Sequence, residues 1–64
     1  MDRTKVTCTD TGSTVGADVL ERSDKRLKVA LDGATIAIEL YKDTPNARIY
    51  VGHMFGMEFT SEGS

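Results

Sequence analysis

The chain has 64 residues, room for one small domain with a thin core and for nothing that needs two. Hydrophobic residues make up 39% and charged residues 28%, the balance of a folded globular chain rather than a disordered tail. Eight Lys and Arg against ten Asp and Glu give a net charge of −2, which disfavours a nucleic-acid binder, and no apolar run approaches the ~20 residues of a membrane-spanning helix.

At the N-terminus, Met1-Asp2-Arg3-Thr4-Lys5 is not followed by an apolar stretch, so no signal peptide is expected. Thr4 to Thr9 is rich in Thr and β-branched residues, with Val6 and Cys8 on one side, and predicts a strand. Cys8 is the single cysteine. It cannot form an internal disulfide, it is expected to act as a small core hydrophobe, and a reducing cytoplasm is the matching compartment.

Asp10-Thr11-Gly12-Ser13 is turn chemistry. It also resembles the D-T-G-S signature of aspartic proteases, and Ile49-Tyr50-Val51-Gly52 resembles the apolar element that supports that turn. The resemblance implies a dimeric hydrolase in which Asp10 shares a proton with its mate. That family precedes its Asp with an apolar run, where this chain has Thr7-Cys8-Thr9. Asp10, Ser13 and Gly16 also resemble the D-x-S-x-x-G of cyclic-dinucleotide-binding PilZ barrels, with one residue too many between Asp and Ser and only Arg3 where an arginine motif belongs. Each resemblance spans a few residues, and neither is taken as family membership.

Val15, Ala17 and Val19 alternate, as do Leu27, Val29 and Leu31. A three-residue loop at Ser23-Asp24-Lys25 would pair Val19 with Val29 and Ala17 with Leu31, and would set Arg22 opposite Arg26. The rival is a helix near residues 17–31, with Ala17, Leu20, Leu27 and Leu31 on one face and Gly33 as C-cap. Asp32-Gly33 is a two-residue hairpin signal that would pair Val29 with Ile36, Leu27 with Ile38, and Arg26 with Glu39. Thr44-Pro45-Asn46 predicts the next turn, pairing Leu40 with Ile49 and leaving Tyr41 opposite Arg48 and Glu39 opposite Tyr50 on the outer face. Gly52 to Gly56 is a glycine-bounded turn, and Met57 to Thr60 a last strand with Met57 and Phe59 inward. Ser61 to Ser64 is expected to fray.

The expected fold is therefore all-β: one domain, residues 1–64, with five to six short strands in a small curled antiparallel sheet or barrel, SH3-like or OB-like. The alternative is α+β with the helix near 17–31. His53, the single histidine, lacks companions at metal-ligand spacing, so neither a metal nor a cofactor is expected. No complete catalytic constellation is present, and the chain is expected not to be an enzyme. The segment Glu21 to Lys28 carries four positive and two negative charges. On the outward face Arg22, Arg26 and Tyr50, with Tyr41, Arg48 and Leu20, form the candidate binding surface: Arg grips carboxylate or phosphate and Tyr offers a flat stacking face. The expected function is a non-enzymatic protein- or peptide-interaction module. The alternatives are binding of RNA or a small anionic ligand at that face, and, remotely, the dimeric hydrolase. Exposed strand edges at Thr4–Thr9 and Met57–Thr60 add the possibility of a homo-oligomer.

Overall fold

A computed structural model describes residues 2–63. Its elements are β1 (Arg3–Cys8), β2 (Ser13–Arg22), β3 (Arg26–Leu31), β4 (Ala37–Tyr41), β5 (Tyr50–Met54) and β6 (Met57–Ser61). Each strand pairs antiparallel with the next, and β6 returns to β1 through Thr7↔Thr60 and Cys8↔Phe59. The protein is a closed, all-β barrel of six strands.

Alternation works as expected in β1, where Thr4, Val6 and Cys8 are buried and Lys5 points out. The rest of the core is Ala17, Leu27, Val29, Ile38, Leu40, Tyr50 and Phe59, with Val19, Leu31, Met54 and Met57 packed against it. The helix near 17–31 is replaced by two strands. The register is the expected one at Ala17↔Leu31 and Val19↔Val29, and the Ser23–Lys25 loop is held by Ser23 N donating to Arg26 O and Arg26 N donating to Ser23 Oγ. Below Val19 a bulge inserts one extra residue, Leu20, so Arg22 stands opposite Leu27 rather than Arg26. The expected opposition of two arginines is thereby removed, and Leu20 stays on the outside, 49% exposed.

Two other registers differ from expectation. In the β3–β4 hairpin, Leu27 pairs with Leu40 and Val29 with Ile38, a slip of two residues. The cause lies in the turn. Asp32-Gly33 is not a two-residue loop with positive φ at both positions. Only Gly33 has it (φ 78°), and Ala34 N donates to Leu31 O across the turn. A turn whose positive φ falls on its second central residue alone splays the strands, which rejoin at Ala30↔Ala37 and leave Ile36 exposed. A slip of two preserves which side faces inward.

In β4–β5 the slip is odd. Ala47 N donates to Thr44 O, which places Pro45 second and Asn46 third in the turn, and Tyr41 pairs with Val51. This inverts the strand: Tyr50 is buried and Ile49 exposed, against the expectation for both. Gly52 makes the inversion possible. A Cβ there would lie 2.4 Å from Glu39 O, so β5 crosses the backbone of β4 closer than any side chain allows.

The tail also departs from expectation. Ser61 closes β6, its Oγ 3.2 Å from Thr4 Oγ1 and accepting from Gly63 N, and Gly63 is buried under the Tyr50 ring. Ser64 lies outside the described residues. The edges expected at Thr4–Thr9 and Met57–Thr60 pair with each other, which removes them as docking edges at Thr7 and Cys8.

Replacing Gly52 with Ala forces β5 off β4. We expect a loss of about 1–3 kcal/mol in unfolding free energy by chemical denaturation, most of the margin of so small a domain. Gly33→Ala, with open space at its Cβ, should cost about 1 kcal/mol through its φ alone.

Candidate interaction surface

The outer face of β2–β3–β4 carries three of the six residues expected to bind, Leu20, Arg26 and Tyr41, while Arg22, opposite buried Leu27, lies at the adjoining end of the barrel; the charges of both arginines are matched at home. Arg26 Nη2 donates to Glu21 Oε2 at 2.8 Å, and its Nε, without a hydrogen-bond partner, lies 3.4 Å from Glu39 Oε1. Tyr41 OH donates to the same Glu39 oxygen at 2.5 Å. That hydrogen bond first, then the charge of Arg26, holds the Glu39 carboxyl below the usual range, and Glu39 in turn pushes the Tyr41 hydroxyl up. Arg22 donates to Asp2 Oδ2 at 2.9 Å and to Gly63 O, so it ties both chain ends to β2. Leu20 stands beside them on the bulge.

Tyr50 does not join this face. Its ring is in the core, its hydroxyl donates to Ser23 O at 2.8 Å, and Lys42 Nζ sits 4.4 Å from the ring centroid. Arg48 is exposed in the β4–β5 connection, away from any pairing with Tyr41. The surface is thus reduced to Leu20, Arg26 and Tyr41, with Arg22 at its margin on the barrel end and both guanidiniums already meeting carboxylates.

The third arginine follows the same rule. Arg3 reaches across β2 to Asp18 (2.9 Å) and grips Asp32 with both terminal nitrogens (2.8 and 2.7 Å). Gly16 lies beneath, where a Cβ would meet that pair at 2.6–2.8 Å. The bidentate hydrogen bond holds Asp32 below its ordinary range and Arg3 above its own.

The other distinctive region is one end of the barrel. In a sequential antiparallel barrel the β1–β2, β3–β4 and β5–β6 connections share an end, here residues 9–12, 32–36 and 55–56. Thr9 N donates to Glu58 O, Thr9 Oγ1 donates to Glu58 Oε1 at 2.8 Å, and Asp10 Oδ2 accepts from Glu58 N at 2.8 Å, locking the first turn to the last. His53 faces Glu58 across β5–β6 at 3.8 Å, both near the surface. Asp10 is therefore occupied in holding a turn. The Ile49–Gly52 element enters β5 beside Ser61, at the far end of β6 from Asp10.

At the tip of the last hairpin, Phe55 and Gly56 both have positive φ, 57° and 73°. This is the two-residue hairpin geometry that favours Asn-Gly, with Phe in the first seat. Phe55 is 72% exposed. A bulky side chain in the left-handed region costs about 1–2 kcal/mol, and here it secures no burial. Segments 9–14, 31–37 and 53–58 contain no Lys or Arg, and of their three carboxylates Asp32 alone is gripped by Arg3. Among the described residues neither Asp10 nor Glu58 pairs with a Lys or Arg, and both share this end of the barrel with the exposed Phe55. Gly52–Gly56, expected as one glycine-bounded turn, is instead the end of β5 followed by this two-residue loop, and Phe55 is not among the residues expected to bind. The signal was available in Met54 and Met57, which bracket a two-residue Phe-Gly loop.

Among the described residues no group of three His, Cys, Asp or Glu gathers for a metal, and no helix is long and apolar enough to cross a membrane. Comparison with family models, curated proteins and solved structures finds no match.

The depressed carboxyls fix a pH response. Asp32 and Glu39 bind protons less readily folded than unfolded, so their contribution is full above the ordinary carboxylate range of about 4 and fades as pH falls through their lowered values. We expect the melting midpoint to drop between about pH 5 and pH 2, and Asp32→Asn to flatten that drop while lowering the midpoint slightly at neutral pH. Both groups are exposed, so each effect is small.

Proposed function

We propose that the chain is a small non-enzymatic interaction barrel that holds a protein partner by its turn end. Phe55 is the anchor, and the partner presents an apolar pocket with a basic rim facing Asp10 and Glu58. The observation that carries this reading is Phe55 itself: a large aromatic in a left-handed turn seat, 72% exposed, where Asn would be cheaper for folding. Backbone strain that stabilises nothing inside the molecule is the kind found at ligand clamps, and buried aromatics are the usual anchors of interfaces. An SH3-like role for the barrel and a cytoplasmic setting, in keeping with a free buried thiol, belong to the same reading.

The Arg–Tyr face, as a site for RNA or a small anion, stands second. Exposed Leu20 and Tyr41 favour it, and the ion pairs of Arg22 and Arg26 oppose it.

The two readings separate with a photoreactive phenylalanine analogue placed at position 55 or at position 41. We expect a defined protein to crosslink from 55 and not from 41. Excess unlabelled native chain should compete, and Phe55→Asn should not, although that variant folds with unchanged stability or gains up to about 1 kcal/mol. Equal competition by Phe55→Asn sinks the proposal, and salt-sensitive oligonucleotide crosslinks from 41 alone support the second reading.

A further inference from the structure

Apart from Met1, which lies outside the described residues, the chain has three sulfur-bearing side chains: Cys8, Met54 and Met57. All three lie at the turn end. Cys8 Sγ is 3.7 Å from Met57 Sδ. Met54 stands directly opposite Met57 in the β5–β6 ladder, and directly opposed residues share a face with Cβ atoms about 4.5–5.5 Å apart. Both methionines are partly buried against the same core as Cys8. We propose that Cys8, Met57 and Met54 form a binding site for a soft monovalent cation, Cu(I), at the base of the Phe55-Gly56 turn.

The donor set selects the ion. One thiolate with two thioethers is a soft, sulfur-only set of low coordination number, which suits Cu(I). Zinc, which takes four ligands drawn from Cys, His and carboxylate, is not served, since no such group of three gathers among the described residues. Asp10 and Glu58 at the rim, with no Lys or Arg in the three turn segments, favour approach of a cation. On binding, the Cys8 S–H bond breaks and a sulfur–copper bond forms. The proton leaves to solvent, and copper stays in the +1 state. Met54 and Met57 donate lone pairs and break no bond.

Anaerobic titration of the full chain with Cu(I), in competition with bicinchoninate, tests this. We expect one Cu(I) per chain, an ultraviolet sulfur-to-copper charge-transfer band, and no retention of Zn(II) under the same conditions. Met57→Leu conserves volume and should fold, yet should lower Cu(I) affinity by roughly tenfold or more. Cys8→Ala should abolish binding, and if it fails to fold, the methionine variants carry the test. Complete loss of copper to bicinchoninate from the native chain overturns the proposal. So does equal affinity in Met57→Leu and Met54→Leu, or equal retention of Zn(II).

Discussion

The whole structure depends on the return of β6 to β1. Five hairpins alone would leave a curled ribbon with two open edges and a core exposed along the gap. Closure is made over a short stretch: Thr7↔Thr60, Cys8↔Phe59, the Thr9–Glu58 backbone bond and the contact of the Thr4 and Ser61 hydroxyls. These join residues 49 to 57 positions apart, so they carry the largest loop-closure cost in the fold. Much else follows from them. Cys8 and Phe59 meet in the core, the first turn locks to the last through Asp10 and Glu58, and the tail is brought to where Gly63 covers Tyr50.

A barrel this small has no spare interior, so the side each residue faces is decided by the closest backbone approach. At Gly52 β5 lies against the backbone of β4, and the neighbours of Gly52 take the outer face while Tyr50 takes the inner one. Alternation in the sequence established that strands exist and which residues in β1, β3 and β4 face inward. It could not establish the side for β5, because Ile49, Tyr50 and Val51 are all apolar or aromatic and either phase looks acceptable. The lengths of the connections decided it. Asp32-Gly33 splayed its hairpin by two residues and kept the phase. Pro45-Asn46 shifted its own by three and inverted it, and Tyr50 was withdrawn from the surface where sequence placed it.

Charge was legible only locally. The segment from Glu21 to Lys28 is positive when counted along the chain, but Asp2 and Glu39, far away in sequence, neutralise Arg22 and Arg26 once the strands assemble. The bulge at Leu20 belongs with this. It offsets the two arginines and lets Arg26 lie between Glu21 and Glu39. No local pattern around Leu20 announces that arrangement, since the bulge shows only in the register of β2 against β3. That the three turns lacking Lys and Arg share one end was equally hidden until the strand order showed which turns are neighbours.

The two ends of the barrel are consequently built on different terms. At one, Arg22, Tyr50, Ser61 and Gly63 interlock through hydrogen bonds that fasten the chain ends, and the tyrosine's polar tip is satisfied by Ser23. At the other, an aromatic is held in a left-handed seat in solvent, and the core beneath it includes soft, flexible methionines and a thiol beside Leu31 and Phe59. A thin core ought to place its best-fitting side chains wherever stability is scarce. Leu27, Leu40, Val6 and Val29 are fully enclosed along the barrel; that it seals Tyr50 under the tail at the fastened end, while it tolerates strain and sulfur at the turn end, separates the part of the molecule that keeps it folded from the part free to meet something else.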